Sequence, residues 1–173
     1  MALTYLIILL ALVITFVVYQ LIGFKSLAPW VPSKSKVLAE ALEYLNLPAG
    51  TTFIDLGAGD GRTVFLASKK FNFEATGVEL APLIWGLSKV RQLLGRHFQV
   101  KLLLSDYAKL NLSSYKVIFI YSLPENINNQ IIAKLKKELQ PGSWIISYNF
   151  TLTGQQPVKT LADKWRRLYI YKV

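Results

Sequence analysis

The chain has 173 residues, 53% of them hydrophobic, a mean hydropathy of +0.35 and a formal net charge of +10. This length suits about one domain, with a core large enough to fold without covalent staples. With no cysteine, disulfides and cysteine-based zinc sites are excluded, and no other metal-ligating set is read from the sequence.

The apolar excess is concentrated at the N-terminal end. Residues Ala2 to Ile22 contain no charged side chain, and as a helix rising about 1.5 Å per residue they would span roughly 30 Å, the thickness of a bilayer's hydrocarbon core. A cleaved signal peptide would show a basic leading region and a small-x-small cleavage site. Neither is present, so a retained single-pass transmembrane helix over residues 1–23 is expected. Lys25, Lys34 and Lys36 follow it and no basic side chain precedes it, which places the globular part on the cytoplasmic side, or the matrix side in a mitochondrion. The whole net charge lies beyond this segment. A basic domain beside a bilayer is drawn to anionic headgroups. Nucleic acid is the rival anionic partner, but no RNP-type aromatic motif, KH loop or zinc finger supports it, and none is expected to bind.

Residues 24–35, rich in Pro and Ser, read as a linker, with Ser33 a helix N-cap; residues 36–173 form the domain. Val37, Leu38, Ala41, Leu42 and Leu45 share one helical face until Pro48-Ala49-Gly50 stops it. Strand-like and helix-like segments then alternate: strand 51–56, helix 61–70, strand 73–80, helix 82–94, strand 98–104, strand 116–123, helix 124–139 and strand 143–150. That order predicts an α/β fold with a mostly parallel sheet and helices on both faces. The tail, PVKTLA and WRRLYIYKV, predicts two antiparallel edge strands joined by a turn at Asp163-Lys164, about seven strands in all. His97 falls in a surface connection. Lys164, Arg166 and Arg167 are read either as contacts for lipid phosphate or an acidic substrate, or as a solvated edge.

The most informative run is Asp55-Leu56-Gly57-Ala58-Gly59-Asp60-Gly61, directly after an apolar strand and directly before a helix. Glycines there allow a sharp turn and close approach of a ligand to the backbone; the plainer alternative is a tight turn with no ligand. Glu79, ending the second strand roughly 20 residues further on, is placed to accept hydrogen bonds from ribose hydroxyls. A dinucleotide would set a pyrophosphate at the helix N-terminus, whereas Asp55 and Asp60 would repel a diphosphate and welcome a cation. S-adenosylmethionine carries a sulfonium and an ammonium, so the sign of the charge favours it over NAD. Asp106, just past the third strand, could meet an adenine amino group, with Tyr107 packing near the ring. For each acid a solvated strand end is the alternative.

Together these residues resemble the class I, seven-strand methyltransferases, a Rossmann-like fold. More narrowly, the N-terminal apolar helix, Pro29-Trp30-Val31-Pro32-Ser33, DLGAGDGR, the GVEL that ends in Glu79 and Leu80, and SDYAKLNLSSYKVIFIYSLP are similar to the small membrane-anchored protein-lysine methyltransferases. That group includes the mitochondrial enzymes acting on the ATP synthase c-subunit and on the adenine nucleotide translocase. The resemblance implies a cofactor loop at Asp55, Gly57, Ala58, Gly59, Asp60 and Gly61, a ribose acid at Glu79 beside Leu80, and an adenine contact at Asp106 with Tyr107. It also implies a membrane or membrane-associated protein as partner. Two departures concern the acceptor side: Tyr121-Ser122-Leu123-Pro124 lacks the Asp/Asn-Pro-Pro-Tyr of many amino-group methyltransferases, and Tyr148-Asn149-Phe150 carries Asn where a basic residue is expected.

Methyl transfer from a sulfonium is an in-line displacement that asks mainly for alignment, and aromatic rings stabilise the cations involved. Tyr121, at the carboxyl end of the fourth strand, leads the candidates for the acceptor pocket, with core packing as its alternative. Trp30, otherwise an interfacial anchor, and Asn149 follow. Three functions remain open at this point: a protein-lysine methyltransferase, a methyltransferase for a lipid or hydrophobic small molecule, and a non-catalytic scaffold that binds the cofactor.

Overall fold

The computed structural model describes residues 1–23, 35–121, 131–164 and 166–173, with only the backbone described for 16–23 and 35. The expected linker, with Lys25, Trp30, Ser33 and Lys34, lies outside the described residues except for Ser35. So do Ser122 to Pro124 and the expected start of the helix that follows them.

The strands are β1 (Thr52–Leu56), β2 (Glu74–Glu79), β3 (Lys101–Leu104), β4 (Val117–Ile120), β5 (Trp144–Tyr148), β6 (Lys159–Ala162) and β7 (Arg167–Lys172). They form one seven-stranded sheet in the order β3-β2-β1-β4-β5-β7-β6. The first five are mutually parallel, and β7 is antiparallel to both β5 and β6. From β1 the chain steps outward to β2 and β3, then returns to β4 on the other side of β1. That reversal opens a crevice beyond the carboxyl ends of β1 and β4, where open α/β sheets hold their ligands.

The helices are α1 (Ala2–Gly23), α2 (Ser35–Leu45), α3 (Arg62–Phe71), α4 (Pro82–Leu94) and α5 (Ile132–Glu138). The α2 stripe expected from spacing is buried: Val37, Leu38, Ala41, Leu42 and Leu45 pack with Phe53, Phe119 and Ile146 on one face of the sheet. Ile54, Leu56, Ile118, Ile120 and Ile145 point to the other face, against Ile132 and Leu135 of α5 and Leu112. Because β1, β4 and β5 are covered on both sides, their sequences run apolar without alternation. Each of these fully buried side chains contributes about 1.5–3 kcal/mol, which makes this the rigid floor of the crevice.

The expected transmembrane helix is not borne out. Among the described residues no helix is long and apolar enough to cross a membrane. The single-pass topology and the side assignment argued from the flanking lysines fall with it. A smaller difference concerns the third strand, expected over 98–104. It forms only at Lys101–Leu104, because the chain first turns through Gly95 and Arg96, the latter at φ 53°, with the His97 N–H donating to the Gln92 carbonyl.

Candidate active site

Leaving β1, the chain bends through Gly57, Gly59 and Gly61, all at positive φ, and enters α3 at Arg62. Two backbone bonds clamp the bend to β2: the Gly57 and Ala58 N–H groups donate to the Val78 carbonyl at 2.9 and 2.8 Å. Gly61 shows why this position needs glycine. Its φ is +81°, and a Cβ there would lie 2.7 Å from the Phe65 ring. Gly77 matters for a different reason, since a Cβ on it would meet the Ala58 Cβ at 2.8 Å and push the bend off the sheet. Gly77→Ala is therefore expected to destabilise the fold by about 1–3 kcal/mol through overpacking, read by chemical denaturation, and to weaken cofactor binding in the same preparation.

Glu79 fastens the bend to the next turn. One carboxylate oxygen accepts from the Gly59 N–H at 2.9 Å, and the other accepts from the Leu80 and Ala81 N–H groups, both at 2.9 Å. Leu80 is half-buried beside it. The end of β3 lies alongside, with the Ser105 N–H donating to the Glu79 carbonyl at 3.0 Å. This places Asp106 at the same rim, where its carboxylate accepts from the Ala108 N–H at 2.9 Å and starts a short 3-10 turn over Tyr107–Lys109. Tyr107 packs against the second core cluster, and burial, reinforced by Asp106, pushes its phenol up.

Asp55 lies beneath the bend, 2% exposed. One of its oxygens accepts from the Thr63 hydroxyl; the other, Oδ1, is buried and has no hydrogen-bond partner among the described residues. Burial pushes its pKa up to about 7; the Thr63 bond opposes this, and the nearby charges of Glu79 and Asp60 add to it. A buried acid with an unmatched oxygen under a turn of this kind fits a cationic ligand, whose charge would favour the carboxylate form.

Asp60 behaves differently from the expectation built on its charge. Its buried carboxylate is held by Arg62 Nε at 2.9 Å and by Arg91 Nη1, from α4, at 2.7 Å. Burial would raise its pKa, but the Arg62 hydrogen bonds and the charges of Arg62 and Arg91 outweigh that and hold it below the usual carboxylate range. Two guanidinium groups already balance this acid, so the charge it could offer a cation is largely spent on Arg62 and Arg91.

On the acceptor side, Tyr121 follows β4 and is half-exposed. Its ring stacks with Phe150 at 6.4 Å and meets Tyr148 edge-on at 5.3 Å. Arg166 closes the far side of Tyr148, donating to its hydroxyl at 3.0 Å and lying over its ring at 5.6 Å. Sequence reasoning placed Tyr121 in the pocket, but took Tyr148 and Phe150 only as the flanks of Asn149 and Arg166 only as a contact for lipid phosphate or an acidic substrate, and did not bring the four together. The signal was the β4–β5 register, which pairs Ile120 with Ser147 and so brings the residues after each strand together. Asn149 is at φ 66°, exchanges hydrogen bonds with the backbone of Arg167 and lines a polar cleft with Asp163, Lys164, Arg166 and Arg167. Trp30 lies outside the described residues. His97 does sit in a connection, but its ring stacks on Phe65 at 4.6 Å; burial and then Lys69 lower its pKa.

A 3-2-1-4-5-7-6 sheet with a glycine-rich bend after β1 and an acid ending β2 defines a class I, S-adenosylmethionine-dependent methyltransferase. The chain belongs to the ANTKMT methyltransferase domain family, which it matches over residues 55–159. It is 29% identical to a protein-lysine N-methyltransferase of Saccharolobus islandicus (strain REY15A), over 77% of this chain and 83% of that protein. It is 32% identical to the human ATP synthase C-subunit lysine N-methyltransferase, over 75% of this chain but only 54% of the human protein. With the mouse adenine nucleotide translocase lysine N-methyltransferase it shares 28% identity, over 84% and 63% of the two chains. Several of these relatives are thus much longer than the part this chain matches. Among solved structures, an RNA methyltransferase from Salinibacter ruber in complex with S-adenosyl-L-homocysteine superposes with a TM-score of 0.76 at 24% identity, over 82% of this chain and 93% of the other. At that identity the likeness speaks to the shared fold.

Proposed function

We propose that the chain is a protein-lysine N-methyltransferase whose acceptor is a lysine of a membrane or membrane-associated protein. The observation that carries this reading is the aromatic group of Tyr121, Tyr148 and Phe150 at the same end of the sheet as the acid-lined bend. The names of the relatives, lysine methyltransferases for the ATP synthase C-subunit and for the adenine nucleotide translocase, support the choice of acceptor.

S-adenosylmethionine, when bound, supplies an electrophilic methyl group. In this reading Asp55 and the backbone of Gly57, Ala58, Gly59, Asp60 and Gly61 serve the methionine end. Glu79 and Leu80 serve the ribose, and Asp106 and Tyr107 the adenine. Asp55 is shut from solvent, so it acts through its charge and through Thr63. An acceptor lysine must shed its proton before it can attack, and an aromatic pocket that strips water from the ammonium favours that loss. The faces of Tyr121 and Phe150 then steady the cation that forms. Asn149 keeps β5 and β7 joined beside this pocket.

The test is incubation with radiolabelled cofactor and native membranes, followed by mass spectrometry of whatever becomes labelled. Methyl groups on lysine of a membrane protein are expected; label that partitions into the lipid extract, or none at all with bound cofactor, would favour the lipid enzyme or the scaffold. Tyr121→Ala is expected to lower kcat about tenfold or more, given cation–π energies near 1–2 kcal/mol, with cofactor affinity little changed by calorimetry. An equal loss of both would mean that Tyr121 only supports the core.

A further inference from the structure

Helix α4 buries polar side chains and exposes apolar ones. Beside Trp85, which packs against the core, its inward side carries Ser88, 1% exposed, and Gln92, 9% exposed, with the Gln92 amide donating to the carbonyls of Val100 at 2.7 Å and His97 at 3.2 Å. Its outer side carries Leu83, Leu87, Val90 and Leu94, exposed by 60, 41, 55 and 79%. Their spacing of four, three and four residues makes a single stripe along the helix. Surface apolar residues scattered singly need no explanation, whereas a contiguous stripe marks something that covers it. Phe98 and the adjoining edge residues Leu103 and Leu104 are exposed as well.

The charge around the stripe identifies the cover. Between Glu79 and Asp106 the sequence holds no acidic residue, while Lys89, Arg91, Arg96 and Lys101 are basic. Arg91 is engaged by Asp60; Arg96 and Lys101 are exposed. A second copy of the chain on this face would bring like charges together, and a basic peptide would be repelled. An apolar helical stripe flanked by basic side chains, with no acid among them, is the pattern by which a helix lies in the plane of an anionic lipid surface. We propose that the outer face of α4 docks on an anionic lipid surface without crossing it. The N-terminus of α4 adjoins Glu79, so such docking sets the rim of the crevice at the lipid boundary.

The chain contains no cysteine, so Leu87→Cys, Leu94→Cys and Thr160→Cys can each carry one environment-sensitive nitrobenzoxadiazole dye in the full chain. Thr160 is exposed on β6, at the opposite edge of the sheet. Vesicles of phosphatidylcholine with phosphatidylserine are expected to shift the emission at 87 and 94 to the blue and brighten it severalfold. The dye at 160 should not respond, phosphatidylcholine alone should act weakly, and added salt should reverse the change by screening. If the chain sediments with the vesicles while the dyes at 87 and 94 stay as wet as the one at 160, the proposal is overturned. It is overturned too if those dyes are already blue-shifted without vesicles: dependence on protein concentration would then assign the face to a second copy, and independence to α1. None of these readouts requires turnover, so they stand apart from the choice of methyl acceptor.

Discussion

Glu79→Ala is expected to cut the affinity for S-adenosylmethionine by about 100-fold and to unfasten the crevice. In the free protein this carboxylate holds three backbone N–H groups from two turns, those of Gly59, Leu80 and Ala81. Hydrogen bonds to a charged group contribute about 1.5–3 kcal/mol each where they are buried. Glu79 is half-exposed, so solvent screens part of that, and a loss of about 2–3 kcal/mol in folding free energy is a reasonable total. Loss of the ribose contacts comes on top: two charge-assisted bonds correspond to about 3 kcal/mol, or roughly 100-fold in Kd. Glu79→Gln separates the two effects. It keeps the shape and one acceptor oxygen but faces an amide NH₂ toward at least one backbone donor, so its stability should lie between wild type and Ala while its cofactor affinity stays low. Calorimetry gives the affinity and urea unfolding the stability.

The second large effect is a pH dependence set by Asp55. Its folded-state pKa is about 7 against an ordinary value of 3.8, so between those limits the unfolded chain releases a proton that the folded protein keeps. The folded state binds more protons over that window, and stability therefore falls as pH rises from about 4 to about 7, by up to about 1.4 kcal/mol per unit, and is level above it. Cofactor binding should run the opposite way. A cationic ligand favours the ionised carboxylate, so affinity weakens as pH drops below 7, by at most about tenfold per unit. Asp55→Asn should remove both slopes. At pH 8 the variant is expected to unfold at a temperature no lower than the wild type while binding the cofactor far more weakly, since the acid's burial is unfavourable for the fold and useful only to the ligand. A variant that kept the wild-type pH dependence of binding would remove Asp55 from the site.

What the sequence disclosed and what it concealed divide along physical lines. The sheet was legible because VIFIY and WIISY are buried on both faces and leave a continuous apolar run, and because Gly57, Gly59 and Gly61 punctuate a strand-to-helix turn. Asp60 was legible as an acid but not as a neutralised one. Arg91 lies 31 residues away on another helix, and only the fold brings it to 2.7 Å. The partners of Tyr121 were hidden in the strand register for the same reason. For α4 the sequence reading gave a helix over 82–94 and no facing: Ser88 and Gln92 take the inward side, where the Gln92 amide satisfies carbonyls in the turn before β3. The apolar run from Ala2 misled by its length, because among the described residues no helix meets the requirement for crossing a bilayer.

Cofactor, acceptor pocket and pH dependence all hinge on whether the bend after β1 holds a cationic adenosyl ligand. The most direct measurement is a crystal structure of the chain grown with S-adenosylmethionine and offered NAD in competition. Density for the adenosyl ligand between residues 57–61 and the Glu79 carboxylate, with its amino group nearest Asp55, is the predicted result; a diphosphate at the start of α3, or the adenosyl ligand bound elsewhere, would contradict it.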